Sequence, residues 1–232
     1  MKNIIEKSRI KIYKNRALYE RSIIDIKSHL IDPVLNKLGW ITSDPDFASQ
    51  NTSTFGINVP DYTFKINGKD VMVVKVIILH HTIENELTQL ARYCTNRDIE
   101  YGIISDGNLW WLFKVFDNGI DKEPYCRIIW YIDIEEDKIK EIEMRLNTFS
   151  YHNFTNIKEQ VKNNILNEAL ETVLNIPHET RNPIIGRAKF ELDMLEYNIE
   201  LNEIDDFIKR KIKEMLNGTY DENSKPIIHR VE

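Results

Sequence analysis

The spacing of apolar and polar positions changes several times along the chain, and each change marks an element. Between Leu18 and Leu38 the apolar residues Ile23, Ile24, Leu30, Ile31, Val34, Leu35 and Leu38 recur at helical spacing. This predicts an amphipathic helix that ends with Gly39 just past its C-cap. Pro33, with Asp32 near the N-cap, predicts a second short helix within the run. Residues 40–55 read as loop with at most one short strand. Tyr62–Ile66 and Val71–Leu79 read as strands joined by Asn67-Gly68, and Glu84–Thr95 reads as a helix that turns Leu87, Leu90, Ala91 and Cys94 inward. Tyr101–Ser105 and Leu109–Phe116 form a predicted hairpin across Asp106-Gly107, and Tyr125–Ile134 is a further strand.

From about Lys138 the pattern is helical only. Ile157, Val161, Ile165, Leu166, Leu170, Val173 and Leu174 mark one helix, and Pro177 and Pro183 bracket a connector. Phe190–Tyr197 reads as a short helix. Asn202 is placed to cap another, running to Leu216 and closed by Gly218. The fold class expected is α/β: a mixed β-sheet flanked by helices over residues 1–150, plus a helical C-terminal region over 151–232.

Strand 71–79 is almost wholly apolar but carries Lys75 on the face of Val73 and Ile77. An ammonium there is costly to bury unless a carboxylate meets it, and Asp61, at the start of the preceding strand, is the natural partner. A strict two-residue Asn67-Gly68 loop puts Asp61 opposite Val74. The expected arrangement is therefore a three-residue loop, which sets Asp61 against Val73 or Lys75. Gln89 and Tyr93, four apart on one helix face, and Asp25 in the first helix complete an expected cleft of Asp25, Asp61, Lys75, Gln89 and Tyr93.

Composition narrows the class of protein. The chain has 232 residues, 42% of them apolar, a net charge of −6 and two cysteines without CxxC spacing. It has material for a proper core, and neither a zinc site nor a disulfide scaffold is indicated. No apolar run reaches the ~18 residues of a membrane span, and Met1–Lys7 lacks the apolar stretch of a signal peptide, so a cytoplasmic location is expected. Charge is unevenly spread. Residues 1–21 carry seven basic side chains against two acidic ones, while residues 151–232 carry 11 against 15. Lys11, Lys14 and Arg16 are accordingly candidate phosphate contacts, and Tyr93 in the expected cleft is a further candidate nucleic-acid contact. His80-His81 are adjacent on an extended segment and diverge, so they do not make a metal site. Lys209–Lys213 reads as a solvated face, and no Walker A sequence is present.

Several short motifs occur in a telling order: Leu30-Ile31-Asp32-Pro33 before Leu38-Gly39-Trp40, then Pro60-Asp61-Tyr62, the apolar strand 71–79, Gln89-x-x-x-Tyr93, and Ser105-Asp106-Gly107 before Trp110. Over residues 20–150 the chain resembles the N-terminal nuclease domain of type I restriction enzyme R subunits, within the PD-(D/E)xK superfamily. The resemblance implies a restriction-endonuclease-like fold and DNA as partner. It also implies Mg²⁺ held by Asp61 and an acid on the next strand, with Asp25 assisting, and a lysine two positions beyond that acid orienting the attacking water. Asp61, Lys75 and Gln89 are the catalytic candidates, and Asp25 and Asp61 the metal candidates.

The acid itself is missing. In one alignment Val73 replaces it and Lys75 keeps the lysine role; in the other Lys75 replaces it and Ile77 replaces the lysine. Glu84 and Glu86 are the nearest candidates for a migrated acid. Three functions are therefore expected to compete: a nuclease-like fold that has lost catalysis and binds DNA or a partner, an active Mg²⁺-dependent nuclease with a rearranged site, and an oligomeric scaffold without nucleic-acid binding that packs through its C-terminal helices; the expected protein partners are further copies or restriction-system subunits.

Overall fold

The computed structural model describes residues 1–50, 59–117, 123–174, 181–197 and 199–216. The chain divides into two compact units, Met1–Thr155 and Asn156–Glu232. The first holds a six-stranded sheet in the order β1 (Ala48–Gln50), β2 (Tyr62–Ile66), β3 (Lys69–Val76), β4 (Tyr101–Ser105), β5 (Leu109–Phe116) and β6 (Tyr125–Asp133). All neighbours are antiparallel except β3 and β4. Parallel neighbours need a crossover, and helix α4 (Glu84–Thr95) provides it.

One face of the sheet packs against α4. There Val73, Ile77, Ile104, Phe113 and Val115 meet Leu90 and Cys94, with Trp111 half-buried at the margin. The other face is aromatic. Phe64 packs on Trp40 and Trp110 on Phe149, and the indole N–H of Trp40 donates to the Phe149 carbonyl at 2.7 Å. Trp110 and Trp111 thus serve opposite faces, as alternation along a strand requires.

The N-terminal helices differ from the single run expected over Leu18–Leu38. Helix α1 spans Lys2–Tyr19 and buries Ile5, Ser8, Ile12 and Tyr19. The chain breaks at residues 20–22 because Ser22 caps a new helix, its hydroxyl accepting from the Asp25 N–H at 3.2 Å. That helix, α2 (Ile23–Ile26), runs into a π-helical turn at Lys27–Ile31 and on into α3 (Asp32–Lys37). Gly39 ends it at φ +90°, with the N–H of Trp40 on the Leu35 carbonyl and that of Gly39 on the Asn36 carbonyl. Those paired bonds satisfy the last carbonyls of the helix and need the left-handed conformation that glycine adopts freely.

The β2–β3 hairpin corrects the expected loop. Ile66 pairs with Lys69, so the loop is the two residues Asn67 and Gly68, both at positive φ. The register shift comes instead from a bulge: Lys65 pairs with Asp70 but Phe64 with Met72, which leaves Val71 as the extra residue. Beyond it Tyr62 pairs with Val74, and Asp61, the next residue back, stands beside Lys75.

Helices α5 (Ile139–Thr148) and α6 (Tyr151–Phe154) complete the first unit. The second unit consists, in its described residues, of α7 (Ile157–Leu174), α8 (Arg181–Met194) and α9 (Leu201–Leu216), around Leu166, Ala188, Leu192, Ile199, Ile204 and Ile208. Helix α8 starts nine residues before the expected Phe190 because Pro183 lies in its first turn, where no intrahelical N–H bond is lost. Pro177 and Gly218 lie outside the described residues.

The tight packing of β4 against β5 gives a direct check. A Cβ on Gly102 would overlap the Phe113 ring and come within 2.7 Å of a Val73 methyl. Gly102→Ala should therefore lower stability by about 1–3 kcal/mol, read as a fall in the denaturation midpoint with an unchanged slope.

Candidate functional site

The bulge at Val71 and the π-helical turn bring two lysines to one carboxylate. Asp61 Oδ2 accepts the Val76 backbone N–H at 2.8 Å and lies 3.8 Å from Lys75 Nζ. Oδ1 faces Lys27 Nζ at 3.5 Å. The three side chains are only 15% (Asp61), 19% (Lys27) and 18% (Lys75) exposed. Lys75 also donates to the Val59 carbonyl at 3.2 Å. The Lys27 ammonium sits 4.5 Å from the centroid of the Tyr62 ring, whose hydroxyl donates to Asp32 Oδ1 at 2.9 Å. Burial, with Asp32 next in effect, pushes the Tyr62 phenol far above its ordinary range, so it stays a neutral donor. Two ammonium groups share one carboxylate, giving the cluster a formal charge of +1.

The pairing of Asp61 with Lys75 is thus present, and Lys27 is a member the sequence reading missed. A signal for it existed. Lys27 is in helical phase with Leu30, Ile31 and Val34, all buried, so it is a lysine on an apolar face, as Lys75 is on its strand.

Asp25 takes no part in this contact. It lies two residues from Lys27, roughly 200° around a helix, and its charge acts on Tyr19 of α1, whose phenol is raised by burial and then by Asp25. On α4, the Tyr93 hydroxyl meets Thr63 Oγ1 at 3.2 Å and its ring is covered by the Arg97 guanidinium. That places Tyr93 beside β2, two residues along from Asp61. Gln89 stands one turn earlier, its Oε1 buried without a hydrogen-bond partner among the described residues. Glu84 and Glu86 lie in the first turn of α4.

Two of the basic candidates on α1 are turned to internal work. Arg16 holds Glu135 through both carboxylate oxygens, at 2.8 and 2.6 Å, and contacts the His80 ring at 3.1 Å. Lys11 donates to the His29 carbonyl at 2.8 Å. Arg9 likewise bonds the carbonyls of Ile134 and Asp137. These contacts pin α1 to the chain around it, and of the three named candidates Lys14 is the exposed one.

A divalent ion such as Mg²⁺ needs several hard oxygen ligands, and these residues do not fit one. Both Asp61 oxygens are engaged by cationic or N–H donors. No group of three or more His, Cys, Asp or Glu is placed to hold a metal among the described residues. Residues 51–58, next to Val59 in the chain, contain no acid. Burial pushes the Cys126 thiol up to about 12 and raises that of Cys94 as well, which disfavours the thiolate of either.

Removing the shared carboxylate should be costly. Asp61→Asn leaves two largely buried ammonium groups without their counter-charge, a loss of about 1–3 kcal/mol given the long contacts and partial exposure. Adding Lys27→Met should recover part of it, a non-additivity that a double-mutant cycle in urea measures. Neither cysteine should react with a thiol-specific reagent at pH 8 in the native protein, while unfolding in guanidinium should release two equivalents. Comparison of the chain with family models, with curated proteins and with solved structures found no match.

Proposed function

We propose that the first unit is a restriction-endonuclease-like fold, similar to the R-subunit nuclease domain of type I restriction enzymes, that binds DNA without cutting it. The observation that carries this reading is the state of Asp61. Its two oxygens face Lys27, Lys75 and the Val76 N–H, so the cation-holding half of metal-assisted hydrolysis is replaced by fixed ammonium groups. The position of the cluster fits a ligand site. It lies at the carboxyl end of β3, beside the parallel pair β3–β4, the end of an open α/β sheet at which ligands gather. The two ammonium groups beside Asp61, with the Asp32 carboxylate set behind the Tyr62 hydroxyl, favour a phosphodiester over a cation. Mg²⁺ has no role under this reading; it belongs to the alternative of an active nuclease with a rearranged site.

A second reading, docking of a protein partner or of another copy, draws on a different observation. Ile10, Tyr13, Leu18, Ile23 and Ile24 are all exposed on α1 and the start of α2, Tyr13 by 82% and Ile24 by 79%. Light scattering on the wild type and on Tyr13→Glu tests it: a mass that falls with the substitution supports self-association.

DNA binding and cutting are measured separately. Fluorescence anisotropy with a labelled duplex should show binding that weakens about tenfold between 50 and 200 mM salt, as about two phosphate contacts require. Lys14→Glu should reduce it further. No Mg²⁺- or Mn²⁺-dependent cleavage should appear. Cleavage that Asp61→Ala abolishes would overturn the reading.

A further inference from the structure

We infer that Lys27 is the resident cation of the Asp61 pocket: its ammonium group fills the place of a divalent ion and keeps such ions out. The inference rests on the reading of Asp61 as a nuclease-like site but not on DNA binding, and it goes beyond the lost acid on β3.

The two lysines are not equivalent. Lys75 donates to the Val59 carbonyl at 3.2 Å and stands 3.8 Å from Asp61, so it keeps a partner whatever happens to the carboxylate. Lys27 depends on Asp61 Oδ1 at 3.5 Å and on the Tyr62 ring at 4.5 Å. An ammonium over an aromatic face and beside a carboxylate meets anionic or electron-rich groups on both sides, which is the environment a cation requires. Tyr62 is itself held by its bond to Asp32, the first residue of α3. The ammonium is thus clamped from β2 while its backbone begins the π-helical turn, a local departure from α-helix of the kind that re-aims side chains at functional positions.

Tethering makes the ammonium hard to displace. A side chain anchored beside its partner acts at a high effective concentration, which a free ion must overcome. Displacement would also leave a largely buried ammonium unpaired. Lys27→Glu reverses this. The introduced carboxylate ends one bond short of the ammonium's place, which leaves room for an ion between it and Asp61. The formal charge of the cluster falls from +1 to −1.

The test uses the full chain, with Mn²⁺ as probe, followed by thermal unfolding and by the loss of the free-ion electron paramagnetic resonance signal. The wild type and Asp61→Asn should respond to millimolar Mn²⁺ alike. Lys27→Glu should gain at least about 3 °C when the ion is about tenfold above its Kd, and Lys27→Glu combined with Asp61→Asn should lose that gain. Should Lys27→Glu fail to fold by circular dichroism, Lys27→Met decides, with a smaller gain that still depends on Asp61. A wild-type response that Asp61→Asn removes would overturn the inference. So would a folded lysine variant with no gain, or a gain that survives Asp61→Asn. Because the readout is metal binding, it stands apart from the anisotropy assay: failure there removes the DNA reading and leaves this outcome to be decided by Mn²⁺ alone.

Discussion

A carboxylate that is largely buried between two ammonium groups constrains everything around it, because losing one of the three leaves a largely buried charge uncompensated. Asp61 lies in that position, 3.5 Å from Lys27 and 3.8 Å from Lys75. Each contact has a backbone irregularity behind it. The extra residue at Val71 puts Asp61 next to Lys75 rather than opposite Val74, and the π-helical turn begins at Lys27. Local departures from regular structure that converge on one side chain mark a place where geometry serves charge rather than packing.

The chemistry available there follows from the sign of the charge. Hydrolysis assisted by a divalent ion needs oxygens turned toward an empty space, and the Asp61 oxygens are turned toward N–H and ammonium donors. The phosphate binding proposed above would draw instead on the two ammonium groups at the carboxyl end of a parallel strand pair. Three basic residues of α1 are engaged within the fold. Arg9, Lys11 and Arg16 hold the helix to the His29 carbonyl and to the segment after β6, which is a fold-building use of charge.

Much of the architecture was legible because local chemistry decided it. Asn67-Gly68 and Asp106-Gly107 allow only tight reversals, and β2, α4, β4 and β5 have the bounds that residue periodicity predicts. The mixed α/β class followed from element order. The hairpin failure has a physical source: side-chain patterns report faces, not small changes of phase. A bulge adds one residue without altering the apolar run from Val71 to Leu79, so the hairpin loop was misjudged although the pairing of Asp61 with Lys75 was foreseen. Asp25 was expected from the resemblance to a first-helix acid, and Lys27 was overlooked although it stands in helical phase with Leu30, Ile31 and Val34. Helix α1 went unnamed because its apolar residues lie on both its buried and its exposed sides, which blurs the period.

On the proposal made above, ammonium groups and not a metal fill the Asp61 pocket. Crystals of the full chain grown in millimolar Mn²⁺ and measured for anomalous scattering test it most directly. No anomalous peak is expected at Asp61, with the nitrogens of Lys27 and Lys75 on either side of its carboxylate. A peak about 2.1 Å from an Asp61 oxygen, with Lys27 swung away, would contradict it.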